Sequence, residues 1–264
     1  MRKNSKNVLD FFNRFIVKLI HRRKRRTQVN GFSKDICVDI HDVDFNGVCR
    51  ASALIRYIQS AAQQQLTDNG MSYDELKAMG KAFIISRIKV EFYQTVRAYD
   101  RLTATTFPCD SRGYSFIRCY ALTQGEKIVA KAISVWALVD TQSRALVRVD
   151  DFSLPLKTLP PIDIELSRFR TPSLMLEVGE YRVRYGEIDQ NRHMNNTTYP
   201  DLYATYLPLD GKRIASISIN YQNDAPANDT LKVYRIEADG CYYIRTVRSD
   251  GKVNTEAKIS LADI

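Results

Sequence analysis

Residues 187–196 read EIDQNRHMNN and bring together Asp189, Asn191, His193, Asn195 and Asn196; His193 is one of three histidines in the chain. An imidazole can relay a proton near neutral pH. The Asn191 amide can donate to a carbonyl oxygen and polarise it. The Asp189 carboxylate can orient the ring or attack a carbonyl carbon itself. One histidine and two aspartates at these spacings make no recognisable ligand set, so neither a metal nor a cofactor is expected. A lone histidine ahead of a helix is often only a turn residue, so the case for chemistry depends on context.

That context is a second copy of the same segment. Residues 42–51, DVDFNGVCRA, align without gaps, pairing Asp44 with Asp189 and Asn46 with Asn191, while Val48 takes the histidine position. Each copy leads into a helix. In RASALIRYIQSAAQQQLTDNG, Leu54, Ile58, Ala61 and Ala62 share a face and Gly70 ends the run. In NNTTYPDLYATYLP, Asn196 is the expected N-cap, Leu202, Tyr203 and Tyr206 have helical spacing, Pro200 belongs in the first turn and Pro208 closes the segment.

The echo continues downstream. Residues 88–102, IKVEFYQTVRAYDRL, match 217–231, ISINYQNDAPANDTL; GYSFIR (113–118) matches GCYYIR (240–245); KAISVW (131–136) echoes AKISLA (257–262). These runs alternate apolar and polar residues between turn signals such as DSRG, TQGE and SDGK, and read as antiparallel strands. The chain is therefore an α+β tandem duplication. Its parts are a tail (1–29), a first unit (30–150), a connection (151–176) carrying Pro155, Pro160, Pro161 and Pro172, and a second unit (177–264).

Composition narrows the function classes. A hydrophobic content of 44% supports a core, and fifteen Tyr with eleven Phe suit a sheet-rich protein. Five cysteines, widely spaced and without CxxC, argue against a disulfide framework and for a reducing, cytoplasmic setting. The net charge of +9 comes entirely from residues 1–29, which hold ten Lys/Arg against Asp10. The remainder is neutral and makes no electrostatic case for nucleic acid. In the tail, VLDFFNRFIVKLIHRRKRR places apolar residues at helical spacing, but Arg14 and Lys18 prevent a bilayer span. It reads either as an amphipathic helix on anionic lipid, with Arg22 to Arg26 at the headgroups, or as a solvated extension or helix packed on its own domain. The second is the commoner outcome for a charged terminus.

A long helix wrapped by an antiparallel sheet, repeated in tandem, resembles the double hotdog. With D-x-N-x-H-x-N-N standing as Asp189, Asn191, His193, Asn195 and Asn196 before the second helix, the chain resembles an acyl-acyl-carrier-protein thioesterase of the plant-plastid and bacterial type. DVDFNG and AISVWALVDTQSRALVRV also look like segments of that family, and the resemblance runs over about residues 36–262. It implies hydrolysis of an acyl thioester with a water or carboxylate nucleophile, donors for the oxyanion and a proton for the thiolate. The family's Glu-Cys pair falls on Asp224 and Ala225, so the acid is one methylene shorter and the thiol is absent. Asp224 with His193 remains able to activate water. In the first copy Val48 and Thr95 replace His193 and Asp224, so that copy is expected to shape the acyl cavity, with Asp44 and Asn46 bonding their own backbone.

The implied partner is acyl carrier protein bearing a phosphopantetheine-linked acyl chain, and Arg112, Arg118, Arg144, Arg148, Arg168 and Arg170 are candidates for a basic docking patch. The same residues would serve an acyl-CoA thioesterase, and the missing thiol also admits a non-catalytic acyl-binding protein. A homodimer is admitted, not required, by the sequence.

Overall fold

The alternation in the repeated segments builds strands, and a computed structural model describes them within residues 31–264, Ser167 excepted. The tail and both readings of it lie outside the described residues. The first copy contributes β1 (Phe32–Cys37), α1 (Ala51–Asp68), α2 (Tyr73–Ala78), β2 (Lys81–Phe92), β3 (Arg101–Pro108), β4 (Phe116–Gln124), β5 (Lys127–Asp140) and the short β6 (Leu146–Val147). The second contributes β7 (Leu176–Arg182), α3 (Tyr199–Ala204), β8 (Lys212–Tyr221), β9 (Thr230–Ala238), β10 (Cys241–Val247) and β11 (Val253–Asp263). All the strands join one antiparallel sheet in the order β1-β3-β4-β5-β2-β8-β11-β10-β9-β7, with β6 added on β5.

That order is a palindrome of the duplication, and its centre is the β2–β8 ladder. Ile88 faces Ile219 and Val90 faces Ile217, while the sequence repeat equates Ile88 with Ile217 and Val90 with Ile219. Each pair maps onto the other when the copies are exchanged, the self-complementary pattern of a two-fold interface. Ile88, Val90, Ile217 and Ile219 are all at most 1% exposed, so the seam between copies is core.

The first copy's helix has the expected periodicity. Leu54, Ile55, Ile58, Ala61 and Ala62 are buried on one face of α1, which packs on β1, β3 and β4. Burying each large aliphatic side chain there stabilises by about 1.5–3 kcal/mol. Ala51, Ala53, Gln59 and the run Gln63–Gln65 add good helix formers, which suits a long helix. Asn69 caps the end and Gly70 turns the chain at φ +71°, a conformation glycine takes without a Cβ clash.

The second copy departs from the expected long helix. α3 has only six residues, with Pro200 in its first turn as its fixed φ allows. Its N-cap is Thr198, not Asn196, and no side chain caps it. Asn195 has already folded the preceding turn, its Oδ1 accepting from Thr197 N and Oγ1. Aromatic bulk compensates for length: Tyr199, Leu202 and Tyr203 are at most 2% exposed, and Tyr203 donates to Thr255 Oγ1 at 2.7 Å. The connection after β6 is largely exposed, with Ile164 its buried anchor and Leu159 N donating to Pro108 O at 3.0 Å.

Candidate active site

The two echoed loops share four main-chain hydrogen bonds. Asp44 N donates to Val48 O and Gly47 N to Asp44 O; Asp189 N donates to His193 O and Arg192 N to Asp189 O. Arg50 N reaches Asp42 O as Asn195 N reaches Glu187 O, and Cys49 N reaches Val96 O as Met194 N reaches Ala225 O. The last pair fixes the register of the partner segment, so Thr95 and Asp224 are spatially equivalent. Both turns need one residue in the left-handed region. The first copy uses Gly47 at φ +69°, the second Arg192 at φ +66°, which costs a non-glycine residue about 1–2 kcal/mol.

Within the second loop, Asp189 Oδ1 accepts from Asn191 N at 2.8 Å. No hydrogen bond joins its carboxylate to the His193 ring among the described residues. The acid beside the imidazole is Asp224, with 3.7 Å between Asp224 Oδ2 and His193 Nδ1 and side chains 61% and 42% exposed. That separation is within ion-pair reach and longer than a direct hydrogen bond. The loop carrying Asp224 is tied down by Asn254, which is fully buried. Its carbonyl accepts from Gln222 N and Asn223 N, and its amide donates to Asn223 O and Tyr199 OH. Burial raises the Tyr199 phenol well above its ordinary pKa, so it stays a neutral partner.

In the first copy Asp44 behaves as a turn residue, accepting from Asn46 N at 2.9 Å and Val48 N at 3.0 Å. Asn46 does not bond its own backbone. Its amide donates across the seam to Leu209 O at 2.8 Å, because the exchanged copies bring that carbonyl against the loop. The mirrored contact involves Asn191, whose Oδ1 accepts from Tyr73 OH at 3.2 Å. Tyr73 opens α2, held by a capping box of Ser72 and Glu75. The Ser-x-x-Glu spacing was the signal for this helix, which the periodicity reading passed over.

A cavity of about 390 Å³ joins the copies. Asp189, Asn191 and residues 195–197 of the second copy border it, and α1, α2 and the inner strands of the first copy provide the other walls. His193, on this loop, and Asp224, on the neighbouring segment, are not among the lining residues. One expectation changes here. Arg118 is not part of a surface patch: it is 7% exposed and lines the cavity, whereas Arg112, Arg144, Arg148, Arg168 and Arg170 are exposed. The helix N-terminus contributes little to the site, since α3 is short, Pro200 lacks an N–H, and Thr197 and Thr198 spend theirs on Asn195.

Residues 30–154 match the acyl-ACP thioesterase N-terminal domain and residues 174–262 the acyl-ACP thioesterase C-terminal domain. The chain belongs to the acyl-ACP thioesterase family. It is 22% identical over 235 residues to oleoyl-acyl carrier protein thioesterase 2, chloroplastic, of Arabidopsis thaliana, covering 78% of this chain and 63% of the length of that curated relative. An acyl-ACP thioesterase of Bacteroides thetaiotaomicron superposes with a TM-score of 0.77 at 20% identity, covering 87% of this chain and 97% of that one. The 12:0-ACP thioesterase of Umbellularia californica gives 0.74 at 14% identity, with 90% and 100% covered. These likenesses establish the fold as the tandem double hotdog. Among the described residues, no helix is long and apolar enough to cross a membrane.

Proposed function

We propose that the chain hydrolyses fatty acyl-acyl-carrier-protein to free fatty acid and holo-carrier protein, using Asp189, Asn191, His193 and Asp224. The observation that carries this reading is the second copy's loop opening onto a cavity walled by the first copy, with imidazole and carboxylate on that loop's side alone. Family membership and the relatives' printed activities support the reaction class.

Water attacks the thioester carbonyl carbon and gives up a proton to Asp224, with His193 as the relay. Tyr73 donates to Asn191 Oδ1, so Asn191 Nδ2 donates to the carbonyl oxygen as it gains negative charge. The C–S bond then breaks, and the proton returns through His193 to the leaving thiolate. The products are a carboxylic acid and the carrier thiol. Asp189 holds the turn that carries Asn191 and His193.

The exposed arginines 112, 144, 148, 168 and 170 suit an acidic carrier, and the free cysteines suit a reducing cytoplasmic setting. Deleting residues 1–28 separates the two readings of the tail: hydrolysis of a soluble substrate should be unchanged either way, loss of binding to anionic vesicles would mark a lipid anchor, and equal binding would reject that role. One second reading, a non-catalytic acyl-binding protein, is favoured by the 3.7 Å between His193 and Asp224 and by Ala225 in place of a thiol. Single-turnover assays of the purified chain with acyl-ACP and acyl-CoA separate these outcomes. Release of fatty acid from acyl-ACP is expected. A folded protein inert on both carriers would sink the enzyme reading.

A further inference from the structure

Three cations line the cavity between the copies: Arg56, Lys81 and Arg118. Two are neutralised where they stand, Arg56 by Asp42 and Lys81 by Asp140 at 2.7 Å. Arg118 is different. It is the most buried of the three, yet among the described residues no carboxylate comes within 4.0 Å of it. Its Nη1 donates only to neutral oxygens, Gln65 Oε1 at 2.6 Å and Thr106 Oγ1 at 3.1 Å. Burial draws its pKa below the ordinary arginine value. Gln59, on the wall that α1 gives to the same cavity, has a buried Nε2 with no partner among the described residues.

A buried guanidinium without a counter-ion and a buried amide without an acceptor are both costly arrangements. A plain alkyl chain in this cavity would satisfy neither. A carboxylate is the acceptor that a guanidinium fork calls for, and an amide on the same cavity wall can donate to it as well. We propose that the cavity selects acyl groups bearing a second carboxylate remote from the thioester, half-thioesters of α,ω-dicarboxylic acids, with Arg118 as the counter-ion and Gln59 as a supporting donor. The inference deepens the proposed thioesterase reading by naming its substrate class.

Trp136 is the only tryptophan of the chain and lines the cavity, so its fluorescence reports occupancy without relying on turnover. The full chain carrying His193→Ala would be titrated with three N-acetylcysteamine thioesters of one chain length, ending in a methyl group, a carboxylate or a carboxylate methyl ester. The carboxylate-ended thioester should bind about tenfold or more tightly than the other two. Arg118→Met should erase that preference and Arg118→Lys keep part of it. Equal or tighter binding of the methyl-ended or ester-capped thioester overturns the proposal. That comparison uses ligands on one protein, so it stands even if a variant at position 118 fails to fold. Turnover of the same thioesters by the unaltered chain tests the enzyme reading separately. Preference without turnover keeps this site and removes the hydrolase, and turnover without preference does the reverse.

Discussion

Lys89 faces Ser218 at the middle of the ladder that joins the two copies, and the halves of the chain exchange about that point. The exchange sets each echoed loop against the other copy's helical segment. The second copy's loop shares a cavity with α1, and the first copy's loop shares one with α3. Neither copy can build a complete site alone. Duplication in one chain let the two sites diverge, because a substitution in one loop no longer appears in the other.

In the second copy, the 3.7 Å between His193 Nδ1 and Asp224 Oδ2 makes side-chain length the variable to test. His193→Ala and Asp224→Asn should each lower single-turnover hydrolysis by about 10²–10⁴-fold without unfolding the protein. Asp224→Glu should be tolerated or faster, because one more methylene brings the carboxylate toward hydrogen-bond distance. Ala225→Cys should change little. Should Asp224→Asn be silent while His193→Ala is dead, the base lies elsewhere and Asp189 becomes the nucleophile to examine.

The diverged loop predicts the opposite pattern. Asp44 accepts two backbone N–H groups and touches no ionisable partner in its copy's histidine position, which is Val48. Asp44→Asn should cost about 1 kcal/mol in urea unfolding by weakening those charge-assisted bonds and leave turnover near wild type. Asp189→Asn should lower turnover by orders of magnitude. Equal kinetic effects of the two substitutions would contradict the asymmetry.

Tyr73 acts on Asn191 from 118 residues away. Tyr73→Phe keeps the ring and removes the donor, so the Asn191 amide is free to turn over. A fall in kcat with KM nearly unchanged is the expected result, since an oriented donor matters most when the oxyanion forms. A rise in KM alone would make Tyr73 a wall of the cavity and nothing more.

Arg192 offers a stability test. Its φ of +66° matches that of Gly47 in the sister loop at +69°. Arg192→Gly should therefore gain up to about 1 kcal/mol, the left-handed strain partly offset by unfolded-state entropy. Thermal unfolding measures it, and a lowered Tm would show that the arginine side chain holds the loop.

Burial pushes the Cys49 thiol up to about 12 from 9.0. A group whose folded pKa is raised stabilises fully below its unfolded pKa and loses that contribution as pH rises toward the folded one. Stability should thus fall above about pH 9, this thiol adding a slope near 1.4 kcal/mol per pH unit up to about pH 12. Cys49→Ala should remove that slope, as read by urea unfolding across the interval.

Much of the architecture was legible because it is local. Alternation in ISINY (217–221), which buries Ile217 and Ile219, and helical spacing from Leu54 to Ala62 are set by backbone geometry, which repeats every two residues or every 3.6. The duplication was legible because ungapped matches preserve order, and Val48 against His193 identified the copy that kept its imidazole. Where the readings missed, a side chain's surroundings come from residues far along the chain. Arg118 lies two positions from Phe116 and from Tyr120, on the strand face that turns inward, yet a charged residue's burial depends on what packs over that face. The length of α3 was misjudged because Tyr199 and Tyr203 can do by volume what α1 does by turns.

By itself, the sequence determined the strand and helix periods, the tandem repeat, the loop residues Asp189, Asn191 and His193, and Asp224 as the equivalent of Thr95. Only the tertiary structure decided that β2 pairs with β8, that Asp224 and not Asp189 stands by the imidazole, that Tyr73 reaches Asn191, and that Arg118 faces a cavity without a counter-ion. The division has a physical cause. Torsional preference and side-chain period act over a few residues, whereas pairing, burial and charge compensation are properties of groups that meet only when the chain has folded.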